Sequence, residues 1–263
     1  MEELTSTPYK ISTITATGSL NSILNLDELY DKLEVNNHII YIEYGSSKSS
    51  SFCKGENPKV VNRKRRNNKV IKRFDNQITL ILADIGSEDL KKTYNKTNIN
   101  AKVFRNGNVQ MTGLKTEKQG EDCMEYILHI VKALCNNDVF VSSYNIQLIN
   151  SDFRINRNIN RNKLNTIINN TYDIISLFEP CIYPGVKINY YWNKTNNTKQ
   201  DGCCECDYRQ ECKCKKITIA VFQSGCIIIT GAQKREQIND AYDFFMNILK
   251  KHDNDICTNK IST

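Results

Sequence analysis

The chain has 263 residues, 40% of them hydrophobic and 25% charged, enough for one large or two small domains with a real core and unlike a disordered or fibrous composition. No apolar run approaches the roughly 18–20 residues that cross a bilayer, and Met1–Ser6 has neither the basic start nor the apolar stretch of a signal peptide, so an intracellular protein with no membrane attachment is expected and the eleven cysteines read as thiols or metal ligands rather than disulfides. The net charge of +7 is local: residues 48–73 hold ten Lys or Arg against Glu56 alone, a segment of +9 that leaves −2 for the remainder.

In chain order, residues 1–8 read as a tail. A strand-like run opens at Tyr9–Thr15 and a helix follows over Leu26–Val35. The basic insert, residues 45–73, can contact phosphates, form a solvated loop or serve as a nuclear-import signal. A second strand-like run, Ile78–Leu82, leads to an insert at 86–100. Residues 101–115 read AKVFRNGNVQMTGLK, a hairpin with Gly107 where a positive φ is needed. Cys123, Ile127, Ile130, Val131 and Leu134 then recur at helical spacing. Residues 135–143 form a linker.

The same order returns after the linker. A strand over Tyr144–Asn150 precedes a helix over Arg161–Tyr172 and a strand over Val186–Trp192. An insert at 193–216 carries Cys203, Cys204, Cys206, Cys212 and Cys214. Residues 219–233 read IAVFQSGCIIITGAQ, which repeats the first hairpin at a constant offset of 118: Phe104 with Phe222, Gly107 with Gly225, Thr112 with Thr230, Gly113 with Gly231. Ile238, Tyr242, Phe245, Ile248 and Leu249 give a second amphipathic helix, and residues 253–263 a C-terminal tail. The expected repeats are therefore 9–134 and 144–252. Each is strand, helix, antiparallel meander and long helix, an α+β fold whose sheet has helices on one face. A bare opposite face implies a ligand, and a homodimer of the free protein is one way of hiding it.

Phe178-Glu179-Pro180-Cys181-Ile182-Tyr183-Pro184-Gly185, with Val221-Phe222-Gln223-Ser224-Gly225 and Ile229-Thr230-Gly231-Ala232, resembles the signatures of the TATA-box-binding proteins. The Asn-rich, insert-laden form resembles versions encoded by large DNA viruses. The resemblance covers both repeats, the second more closely. It implies a two-repeat saddle with a curved antiparallel sheet that binds and bends A·T-rich double-stranded DNA through the minor groove. It implies four aromatic wedges, Phe74, Phe104, Tyr183 and Phe222. Alternate residues of each last strand would then face bases: Asn108, Gln110 and Thr112, and Cys226, Ile228 and Thr230. The family's base-pairing Asn near the start of each repeat is matched here by Lys10 (or Tyr9) and Leu148, with Asn150 brought in by a two-residue slip. Lys102 stands where an apolar base-facing residue belongs. Glu179, Pro180 and Ile182 lie where the family meets transcription factor IIB, so a IIB-like factor and RNA polymerase are the implied partners. The implied location is the nucleus, or a virus factory or virion if the chain is virus-encoded.

No cofactor is required by this reading. Cys203, Cys206, Cys212 and Cys214 could nevertheless offer four thiolates to a structural zinc, or be free or opportunistically oxidised thiols. A protein-interaction scaffold on the same fold is the alternative function. No Walker motif, paired carboxylates or nucleophile–base set points to an enzyme.

Overall fold

The structure is a computed structural model that describes residues 3–45, 51–58, 76–83, 85–86, 98–135, 138–193, 201–204, 206, 212 and 214–259. It divides into two compact units, Thr13–Gln147 and Met1–Ser12 with Leu148–Thr263.

The first unit holds β1 (Lys10–Leu20, from Thr13 onward), α1 (Leu26–Lys32), β2 (Ile39–Gly45), β3 (Ser51–Gly55), β4 (Gln77–Leu82), β5 (Ile99–Phe104), β6 (Asn108–Leu114) and α2 (Glu117–Leu134). Its strands are antiparallel in the order β3-β2-β4-β5-β6-β1. Val103, Val109 and Met111 alternate with half-buried neighbours, so one face of the sheet is apolar. Helix α2 covers that face with Cys123, Met124, Ile127 and Val131.

The second unit repeats the plan with β7 (Val141–Arg154, from Leu148 onward), α3 (Arg161–Tyr172), β9 (Ser176–Leu177), β10 (Val186–Trp192), β11 (Lys215–Val221), β12 (Cys226–Ala232) and α4 (Arg235–Lys251). The order is β7-β12-β11-β10-β9. Helix α4 packs Ile238, Ala241, Phe245 and Leu249 onto the apolar face of β10 and β12. A separate pair, β8 (Arg157–Ile159) with β13 (Cys257–Asn259), flanks the short helix α5 (Asp253–Ile256). The expected class, α+β with two strand–helix–meander–helix repeats, is the one observed. No described helix is long and apolar enough to cross a membrane.

The unit boundaries fall at equivalent points of the two repeats. In the first, Ile14 pairs with Leu114, Ala16 with Met111 and Ser19 with Asn108; in the second, Ile149 pairs with Ala232, Ser151 with Ile229 and Arg154 with Cys226. The opening strands are thus related by an offset of 135 (Ile14 to Ile149), the hairpins by 118 (Leu114 to Ala232), and a bulge sits at the same place in both. Each unit accordingly takes the first residues of the other repeat's opening strand. Tyr9 donates its hydroxyl to Asn239 in the second unit, at 2.6 Å, and its equivalent Tyr144 donates to the Glu117 carbonyl in the first, at 3.3 Å. Residues 3–8, expected as a tail, are held in the second unit: the Thr7 amide donates to the Arg154 carbonyl and Ser6 bridges Ile155.

Part of the basic insert is strand rather than loop. Ser51–Gly55 pairs with Tyr41–Gly45 as β3. Lys54 turns inward, its Nζ donating to the carbonyls of Tyr30 and Leu33 at 2.8 Å each and lying over the Tyr30 ring. A cation on the unpaired carbonyls of a helix C-terminus stabilises the helix. Lys54 is therefore an anchor of α1, not a free phosphate contact. The other basic residues of the insert, Lys48 and Lys59–Arg73, lie outside the described residues. Helix α1 stops at Lys32 rather than Val35 because Leu33 is already extended (ψ 133°).

Candidate nucleic-acid interface

The face of each sheet away from its helices carries the residues singled out in the sequence. In the second unit, the hairpin turns at Gly225 with φ +77°, and its amide donates to the Phe222 carbonyl at 3.1 Å. A Cβ at Gly225 would sit 2.2 Å from the Arg157 carbonyl, so only glycine fits. The turn sets Phe222 at the hairpin's edge, half-buried, with Tyr183 beside it at 5.7 Å between centroids. Lys187 Nζ lies 4.3 Å above the Tyr183 ring. Gly185 gives this pair its room, since a Cβ there would meet both rings.

Arg161, the first residue of α3, holds the loop that presents the pair. Its guanidinium donates to the Pro184 carbonyl and, at 3.0 Å, to Gln223 Oε1, and stacks 4.9 Å from the Phe178 ring. One side chain thus fastens the segments on either side of Tyr183 to the segment after Phe222. Sequence reasoning missed Arg161, because nothing local marks a helix N-terminal Arg as a bridge.

The open face of the second unit continues through Cys226, Ile228 and Thr230 on β12, all half-buried, with Thr218 and Ala220 opposite on β11. Leu148, Asn150, Asp152 and Arg154 line β7 on the same side, against buried Ile149, Ser151 and Phe153. Thr230 Oγ1 donates to Asn150 Oδ1 at 2.5 Å. Asp152 stands opposite Ile228 and is 3.9 Å from Lys10 Nζ.

In the first unit the equivalent hairpin turns at Gly107, φ +80°, with the Gly107 amide on the Phe104 carbonyl at 3.0 Å. Phe104 borders a cavity of about 450 Å³ with Ile23, Asn76, Arg105 and Asn106. Asn108, Gln110 and Thr112 face outward on β6, flanked by Asn100 and Lys102 on β5 and by Thr15, Thr17 and Ser19 on β1. This face is more polar than its counterpart, where Ala220 and Ile228 stand at the positions of Lys102 and Gln110. Phe74 lies outside the described residues.

The register corrects one pairing drawn from sequence. Lys10 and Leu148 are not equivalent. At the offset of 135, Leu148 answers to Thr13 and Lys10 to Asn145, while Asn150 answers to Thr15 and Asp152 to Thr17. Asn150, not Leu148, is the amide beside Thr230.

Glu179, Pro180 and Ile182 form a turn before β10. The Glu179 carbonyl accepts the amides of Ile182 and Tyr183, both at 2.9 Å, and Ile182 is 79% exposed. Tight backbone bonding with an outward apolar side chain suits a contact point for another protein.

The cysteine set also changes by one member. Cys204, Cys206, Cys212 and Cys214 bring their Sγ atoms within 4.8 Å of one another, a spacing compatible with a metal. Cys203, expected in that set, turns to the Tyr172 carbonyl at 3.6 Å.

Residues 143–252 match the family model of transcription factor TFIID, or TATA-binding protein. The chain is 27% identical over 267 residues to the TATA-box-binding protein-like protein of Acanthamoeba polyphaga mimivirus, a match covering 92% of this chain and 65% of that protein. It thus spans less than two thirds of that relative's length. The structure of Methanococcus jannaschii TBP aligns with a TM-score of 0.49 at 16% identity, over 92% of this chain and 98% of that one.

Proposed function

We propose that this chain is a divergent member of the TATA-binding-protein family, a transcription initiation factor that binds A·T-rich promoter DNA in the minor groove and bends it. The observation that carries the reading is the Tyr183–Phe222 ring pair at the hairpin edge of an open sheet face, with Phe104 at the repeated position. A flat ring entering a base step unstacks it and kinks the duplex. Behind the wedges, Thr112 can donate its hydroxyl to adenine N3 or thymine O2, and Ile228 packs on a groove floor that lacks the guanine amine. With Oδ1 of Asn150 engaged by Thr230, its Nδ2 is the group left to donate to the same acceptors. Lys187, Arg154 and Lys216, on the same face, supply phosphate contacts without sequence information. Glu179, Pro180 and Ile182 are the proposed seat of a IIB-like factor, through which RNA polymerase is recruited. Such a factor works in the nucleus, or in the virus factory or virion if the chain is virus-encoded. Asp152 and Lys102 on the open faces favour the second reading, a protein-interaction scaffold that has lost sequence-specific DNA binding.

A fluorescence-transfer bending assay separates the two. End-labelled A·T-rich and G·C-rich duplexes are titrated with wild type and with Tyr183→Ala/Phe222→Ala. Shortening on the A·T-rich duplex by wild type only supports the wedge mechanism. No shortening by either protein at moderate salt removes the DNA function and leaves the scaffold.

A further inference from the structure

The insert between β10 and β11 holds a feature that DNA binding does not use. The Sγ atoms of Cys204 and Cys212 are 3.4 Å apart, as are those of Cys206 and Cys214, and all four lie within 4.8 Å. A tetrahedral ion with four thiolates at about 2.3 Å has sulfur–sulfur edges of about 3.8 Å, inside that spread. The donor set is all sulfur, which selects zinc over the oxygen-seeking magnesium and calcium. Four thiolates this close repel one another unless a cation lies between them. Asn193 Nδ2 donates toward Cys214 Sγ at 3.6 Å, the kind of outer hydrogen bond that steadies a ligating thiolate.

We propose that Cys204, Cys206, Cys212 and Cys214 bind one structural zinc ion, and that this ion fastens the insert over the open edge of β10. That edge needs covering, because β9 pairs only with Lys187 and Ile188. Beyond it, the Asn189 amide donates to the Ile175 carbonyl at 3.0 Å and the Tyr191 amide to the Gly202 carbonyl at 2.9 Å. Gly202 precedes the first ligand by two residues. It is buried with φ +82° and packs against Tyr190, Ile174 and Phe244. Cys203 bonds the Tyr172 carbonyl at the end of α3. The clasp thus begins where the chain is already docked, and it protects a strand edge that would otherwise invite pairing with another chain. As the ion binds, the four thiols release their protons to solvent and coordinate as thiolates; no redox step is involved.

The test uses the full chain, purified reduced from zinc-supplemented cells. Elemental mass spectrometry counts the metal, and exchange into cobalt reports the ligands. The expected result is one zinc per chain and a cobalt form with the visible bands of a tetrahedral thiolate site. Cys212→Ser and Cys206→Ser lose the metal; Cys203→Ser keeps it. Chelation lowers the melting temperature of wild type and not of Cys212→Ser. A wild-type protein that stays metal-free after zinc reconstitution overturns the proposal, as does thiol counting that finds Cys204–Cys212 and Cys206–Cys214 disulfides. Loss of metal in Cys203→Ser equal to that in Cys212→Ser overturns the assigned ligand set. The wild-type cobalt spectrum decides the matter even if a variant fails to fold.

Discussion

Asp152→Asn should tighten DNA binding. Asp152 lies on the open side of β7, opposite Ile228, with a carboxylate oxygen 3.9 Å from Lys10 Nζ. Its counterpart in the first repeat is the neutral Thr17. The ion pair is a surface one, with the Lys10 side chain 74% exposed, so it contributes only about 0–1 kcal/mol to stability and the variant should fold normally. Against DNA the account differs. A carboxylate about 8 Å from one phosphate repels it by about 0.5 kcal/mol in a water-like dielectric and about 2 kcal/mol at an effective value of about 20. Screening at physiological salt acts over about 8 Å and favours the lower figure. Removing the charge should therefore raise affinity roughly two- to thirty-fold. It also frees Lys10 to neutralise a phosphate, which steepens the slope of log K against log salt by about 0.9. Anisotropy titrations of an A·T-rich duplex over a salt series measure both quantities, and Lys10→Gln with the double variant closes the cycle. An unchanged or weaker affinity with an unchanged slope would refute the placement of this face against DNA.

Three further outcomes are expected. Arg161→Ala breaks the bonds to Pro184 and Gln223 and the stack on Phe178; it should cost about 1–2 kcal/mol of stability and reduce the bend more than the affinity, with Arg161→Lys restoring only part, as read by denaturation and fluorescence transfer. Ser151 Oγ is fully buried and has no hydrogen-bond partner among the described residues, whereas its repeat equivalent is Ala16; Ser151→Ala should stabilise by about 1 kcal/mol, and a lower denaturation midpoint would contradict this. Burial pushes the Cys123 thiol up to about 12, and burial with Glu121 pushes the Tyr144 hydroxyl up to about 12. Both folded values lie above the ordinary 9.0 and 10.0, so the unfolded chain releases protons first. Their contribution is complete below about pH 9 and is lost as pH rises toward about 12. A denaturation midpoint that does not fall between about pH 8 and about pH 11 would count against it.

Where local chemistry decides, the sequence was sufficient. Phe104–Gly107 and Phe222–Gly225 announce their turns because glycine alone is relaxed at φ near +80°. Helix α3 runs over the anticipated Arg161–Tyr172 and β10 over Val186–Trp192, since periodicity is read along the chain. The repeated threonines likewise fall on one face by alternation.

Cross-strand register decided the rest. The opening strands are offset by 135 and the hairpins by 118, so no single self-alignment of the sequence relates both, and a one-residue slip moves every side chain to the other face. Only the pairing of β7 with β12 makes Asn150, rather than Leu148, the neighbour of Thr230, and exposes Asp152 on the open side. The same holds for the cysteines, where the fold and not the spacing set Cys204 in place of Cys203, and for Lys54, whose charge was legible but whose carbonyl partners on α1 were not. Composition and period belong to the chain itself; which strands lie side by side, and so which side chains meet, exists only once distant segments have paired.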